Sequence, residues 1–146
     1  MQAVMMAFKT LLPDCDETHW PLGIVVAEAR LDADGIRSGL DTVERWLVHE
    51  KPFALLLISA YGPPLANDAA ILAMVAQRIG IARDALHRFL LGIAVVVPVA
   101  TADGVRQSLA RLPLHMPLEI FDKAPPAAEW LCRSILQPAG LAIDSL

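Results

Sequence analysis

The chain has 146 residues, 55% of them apolar and 19% charged, with a mean hydropathy of +0.49. An average globular chain is roughly 45–50% apolar and about 25% charged, so this composition excludes disorder and provides for one well-filled core. The 12 basic and 16 acidic residues give a net charge of −4 without runs of either sign, which excludes the clustered basic face that nucleic-acid binding requires.

In chain order, residues 5–12 fit a short antiparallel edge strand, and residues 14–19 (DCDETH) an acidic, solvated loop. Residues 24–29 are apolar and β-branched. After the Asp32-Ala33-Asp34-Gly35 turn, Ile36, Leu40, Val43 and Leu47 recur at spacings of four, three and four, one face of a helix. Asp32 or Asp34 is its natural N-cap, and Lys51-Pro52 is its stop, because the residue before proline is pushed out of the α region. Residues 53–58 (FALLLI) read as a strand buried on both faces, the mark of a central parallel strand. A loop, residues 61–68 (YGPPLAND), leads into a long middle helix with Ile71, Leu72, Val75 and Ile79 inward; Gly80 breaks it, and residues 84–90 form a second piece.

Residues 92–97 form the next apolar strand. The nearly apolar stretch around it, residues 89–100, spans 12 residues and contains Gly92 and Pro98, short of the ~20 residues a membrane span needs. Thr101 caps another helix with Val105, Leu109 and Leu112 inward. Residues 117–121 give a fourth strand with one wet face at Glu119. Pro125-Pro126 opens the last helix, whose inner stripe is Ala128, Leu131, Cys132 and Ile135, with Trp130 on the flank. The reading is a single α/β domain over residues 1–146, with an N-terminal arm or edge strand over 1–21, a core over 22–137 and a tail over 138–146. Its core is a four-stranded, mostly parallel sheet flanked by helices in the order β-α-β-α-β-α-β-α.

Residues 23–40 align without gaps on residues 92–109, with eight of eighteen positions identical, among them Gly23/Gly92, Asp34/Asp103 and Arg37/Arg106. Two origins fit: a genuine pseudo-repeat of a βαβ unit, or convergence on the shared needs of strand, cap and amphipathic helix.

The motifs that carry chemistry are sparse. Cys15, His19 and the carboxylates between them mix metal-ligand types, but a zinc site draws ligands from separate elements and no second cluster follows, so no metal is expected. Cys15 and Cys132 are too far apart in sequence for a CxxC pair. No Walker loop, GxGxxG or GxSxG occurs. At both Ala-Asp-Gly turns a carboxylate occupies the place a phosphate would take, so the aspartates read as caps, and Arg37 and Arg106 as surface arginines. His19, His49, His87 and His115 sit in unrelated settings, and Cys132 falls on an apolar stripe as a small hydrophobe. Hence no catalytic residue, no cofactor and no enzyme activity are expected. The first thirteen residues carry only Lys9 as a charge and lack the basic start of a signal peptide, so the expected location is cytoplasmic.

The loop over residues 61–68 is the functional candidate. It follows the carboxyl end of a central strand, where open α/β sheets bind ligands. Tyr61, Asn67 and Asp68 are the proposed ligand- or partner-binding residues. The same residues equally suit a rigid connection in which Asn67 or Asp68 caps the helix.

The succession GIVVAEAR, KPFALLLIS, LLGIAVVVP and MPLEIFDKAPPAAEWL resembles the SpoIIAA-like branch of STAS-type domains over residues 22–136. The strongest part is the closing stretch: a strand ending in Phe121, the acidic Asp122, then Ala128 and Trp130-Leu131. The resemblance implies a non-enzymatic α/β module that acts through protein–protein contact. It also implies a phosphorylated serine at the start of the helix after the second core strand. Residues 65–70 (LANDAA) contain no serine or threonine, so that switch is absent. A second implication is binding of a lipid-like or other small apolar ligand between the middle helix and the sheet. The high apolar content, with Ala73 and Met74 beside the core stripe, points further to a homodimer; the protein partner stays unidentified.

Overall fold

A computed structural model describes residues 14–16, 19–27, 33–60 and 69–141. Its strands are β1 (Asp14–Asp16), β2 (Leu22–Ala27), β3 (Phe53–Ser59), β4 (Leu90–Val96) and β5 (Leu118–Phe121). Its helices are α1 (Ala33–Val48), α2 (Ala69–Ile81), α3 (Arg83–Phe89), α4 (Val99–Leu109) and α5 (Ala124–Trp130), the last continued by a π-helical turn over Leu131–Leu136. The strands lie side by side in chain order; β2 to β5 are parallel, and β1 is antiparallel on the β2 edge. The α/β architecture read from the sequence is therefore present.

Sequential order has a consequence for layering. Right-handed crossovers between neighbouring parallel strands put every connecting helix on the same face. Accordingly α1, α2, α3 and α4 contribute Trp46, Leu47, Ile71, Val75, Ile79, Leu86 and Val105 to one core, against Val25, Leu55, Ile93 and Val95 of the sheet. The alternate side chains, Leu22, Ala54, Leu56, Ala94 and Val96, face the other way and meet Ala127, Leu131, Ile135 and Leu136. Two cores on one sheet give the high apolar content an internal destination.

Several local expectations change. Residues 14–16, read as loop, pair with β2 as the antiparallel edge strand, while residues 5–12 lie outside the described residues. Helix α1 ends at Val48, before the Lys51-Pro52 stop, with Glu50 just beyond it at φ 54; a left-handed residue two places past a helix end is a common way to turn the chain away. Helix α2 runs through Gly80 and breaks at Ala82 instead. Helix α4 begins at Val99 with Pro98 as N-cap, and Thr101 lies in its first turn, its hydroxyl donating to the Pro98 carbonyl at 2.9 Å. Asp103 is inside α4 and Asp34 inside α1, so neither is an N-cap residue; each instead accepts from the arginine three residues on, Arg37 at 2.6 Å and Arg106 at 3.1 Å.

The aligned segments over residues 23–40 and 92–109 do not occupy equivalent places. A Cβ on Gly23 would strike the Trp46 ring at 2.5 Å, on the four-helix face, whereas one on Gly92 would meet Ile135 at 2.9 Å, on the opposite face. Side chains alternate along a strand, so this one-residue offset reverses the facing of every aligned strand position. The placement favours convergence.

Candidate functional site

The predicted inner stripe of α1 is present, but it does not close on the sheet. Ile36, Leu40 and Val43 are only partly buried, while Gly35, Thr42, Trp46 and Leu47 are buried. The buried end is filled by aromatics. Trp46 is 1% exposed and meets Phe53 edge-on at 6.1 Å and Trp20 at 5.9 Å; Trp20 stacks on Phe53 at 5.1 Å. Along the rest of the stripe lies a cavity of about 210 Å³.

Its floor is the four-helix face of the sheet, with Val25, Leu55, Leu57, Ile93 and Val95. Ile36, Gly39, Leu40 and Val43 of α1 form one wall; Val75 and Ile79 of α2, with Leu86 of α3, form another. Leu109, Leu112 and Leu114 lie at the α4 side. The physical origin is a mismatch of sizes. Valine, leucine and isoleucine on the sheet hold the helices off, while Gly35 and Gly39 on the facing helix leave that distance unfilled. Of the described lining residues, only Ser59, Glu44 and Arg78 carry polar side chains.

Two of these three are bound to each other. Arg78 of α2 donates from Nε to Glu44 Oε1 at 3.1 Å, from Nη2 to Glu44 Oε2, and from Nη2 to Asp41 Oδ1 at 2.7 Å. Glu44 and then Asp41, as hydrogen-bond acceptors, raise the Arg78 pKa further above its already high ordinary value. The Arg78 side chain is 23% exposed, against 41% for Glu44 and 61% for Asp41. The clasp therefore sits where the α1–α2 seam meets water, at the rim of the cavity.

Tyr61, Asn67 and Asp68, the residues proposed from sequence, lie outside the described residues. His87 and His115, read as unrelated, come together with ring centroids 4.8 Å apart, edge to face. Cys132 is a half-buried free thiol in the π-helical turn, and burial pushes its pKa up. Among the described residues no group of three or more histidine, cysteine or acidic side chains is placed to hold a metal. None of the described helices is long and apolar enough to cross a membrane. Trp130 is half-buried beside Phe121, at 5.9 Å between ring centroids, and Met74 is partly drawn into the four-helix core.

Sequence reasoning reached the stripe that walls the cavity and named the space between the middle helix and the sheet as a place for an apolar ligand, but it missed the clasp. Glu44 and Arg78 are 34 residues apart, and nothing local marks them as partners. No protein-family model matches the chain, and neither a curated protein nor a solved structure matches it.

Proposed function

We propose that the protein is a non-enzymatic binding module whose ligand is a small apolar molecule, held between the sheet and the helices α1 and α2. The observation that carries this reading is the cavity: about 210 Å³, lined almost wholly by hydrocarbon among the described residues. Apolar cavities of ~150 Å³ stay dry and accept benzene, so this one suits roughly eight to ten heavy atoms. Natural ligand pockets run from about 300 Å³ upward, which puts the occupant among the smallest of natural ligands. The polar side chains that catalysis would draw on are few here: Glu44 and Arg78 are committed to each other, and Ser59 is the one other polar side chain on the described lining. The α/β architecture also accords with the SpoIIAA-like resemblance, from which apolar ligand binding was one implication.

The expected affinity is modest. At roughly 0.5–0.6 kcal/mol per heavy atom, between the limits for drug-sized and very small ligands, nine atoms give about 5 kcal/mol, a Kd of ~0.2 mM. The test is titration of the protein with indole or 1-octanol, followed by methyl NMR. Saturable shifts confined to Val25, Leu57, Val75 and Ile79 are expected, with the Kd in that range. Val43→Phe, which places a ring in the cavity, should abolish them while leaving the spectrum folded. Shifts that never saturate, or that spread over the surface, would remove the reading.

A further inference from the structure

We infer that the cavity selects neutral apolar ligands against fatty-acid-like carboxylates of the same length. This rests on the cavity being a binding site, and it concerns what its rim admits. A chain-like ligand buries its tail against Leu57, Val75 and Ile79 and leaves its polar end at the rim, because the lining away from Glu44 and Arg78 is hydrocarbon apart from Ser59. A carboxylate there needs a cation. Among the described lining residues the only cation is Arg78, and its guanidinium is already engaged by Glu44, through two of its nitrogens, and by Asp41. One positive and two negative groups leave the clasp at −1. A third carboxylate must displace a bidentate partner, which is among the stronger side-chain pairings, or accept repulsion from the pair. A hydroxyl end meets neither obstacle: it hydrogen-bonds to Glu44 or to water, and both are present at the rim.

The test compares 1-octanol with octanoate at pH 7.5 and low salt, where screening is weak. Wild-type protein should bind octanol at least ~10-fold more tightly than octanoate. In D41N, which removes one of the two negative partners of Arg78 without touching a lining residue, octanoate should gain several-fold while octanol stays within about twofold. In D41N/E44Q, which leaves Arg78 with two neutral partners, the preference for octanol over octanoate should fall by ~10-fold or more. The single variant also guards against a folding defect in the double one. Equal binding of octanol and octanoate by wild type would overturn the inference while leaving the binding site intact. No gain for octanoate in either variant would also overturn it, since the clasp would then not be what excludes the anion. Failure of both probes to bind wild type would remove the cavity reading and this inference with it.

Discussion

The two faces of the sheet are built from the same strands and reach opposite packing outcomes. On one face the floor is Ala54, Ala94 and Gly92, with Leu22, Leu56 and Val96 between them, and the final helical segment approaches so closely that a Cβ on Gly92 would lie 2.9 Å from Ile135. Ala54, Ala94, Ala127 and Leu131 are all 0% exposed. The other face is floored mainly by Val25, Leu55, Leu57, Ile93 and Val95, bulkier at the centre of the sheet than Ala54, Gly92 and Ala94, yet it holds the cavity. Bulk on a strand does not ensure filling. Large side chains fix the height of the helices above the sheet, and the helices must then supply matching bulk. Helix α1 does so at Trp46 and not at Gly35 or Gly39. A face floored by alanine and glycine lets a helix settle until ordinary van der Waals contact stops it.

The largest expected effect tests where the four-helix face is truly closed. Trp46 is 1% exposed and holds Phe53 and Trp20 in place. Trp46→Ala should cost about 3–5 kcal/mol, the range for removing a large buried aromatic. Urea melts reporting less than ~1.5 kcal/mol would mean that the aromatic end is as loosely packed as the cavity end, and the contrast within this face would vanish.

Next in size is enlargement on the closed face. Ala94 lies in the middle of β4 with no exposed surface and packs in the core formed with Leu131 and Ile135. Ala94→Leu has no room to occupy, so the helical segment must lift, and a loss of about 1–3 kcal/mol is expected. An unchanged melting midpoint would show that this face also holds spare volume.

Much of the architecture was legible because it rests on local pattern. FALLLI is apolar at every position, which only a strand covered on both sides tolerates, and β3 is such a strand. The α1 stripe was legible as a face, for spacing fixes direction. Whether a face closes depends on distances set jointly by four strands and four helices, and no window of sequence contains them. Trp46 was passed over because it stands one residue before the stripe position Leu47, and its partner Gly23 lies in another element. The clasp was invisible for the same reason: Arg78 meets Asp41 and Glu44 only after two helices have docked. The start of α4 carried a local signal that was misread. Pro98, with no N–H to leave unpaired, was a better boundary than Thr101.

Trp130 sharpens the comparison from the margin of the closed face. The sequence put it on the flank of the last helix, and there it stays half-buried against Phe121. Its truncation should therefore cost less than that of Trp46, about 1–2 kcal/mol, since part of the ring is already in water and the cavity left behind opens to solvent. A loss matching that of Trp46→Ala would make the closed face deeper than its exposure suggests.

The smallest effect carries the most information, because its sign differs from that of the Ala94 enlargement. Val43 lies on α1, partly buried, at the cavity wall. Val43→Phe adds a ring where the structure has space, and the two residues have similar helix propensities, so the backbone term nearly cancels. Burying roughly 40 Å² of extra apolar surface at about 25 cal/mol per Å² contributes ~1 kcal/mol. Against this stands the rotamer entropy of the new side chain, of order 0.5 kcal/mol. The net expectation is a gain of up to ~0.5 kcal/mol, a rise of about 1–2 °C in Tm for a domain of this size. Ala94→Leu makes a comparable addition of hydrocarbon on the opposite face and should lower Tm instead. If Val43→Phe also lowers Tm by several degrees, the space beside α1 is already in use, and the two faces of the sheet are packed alike.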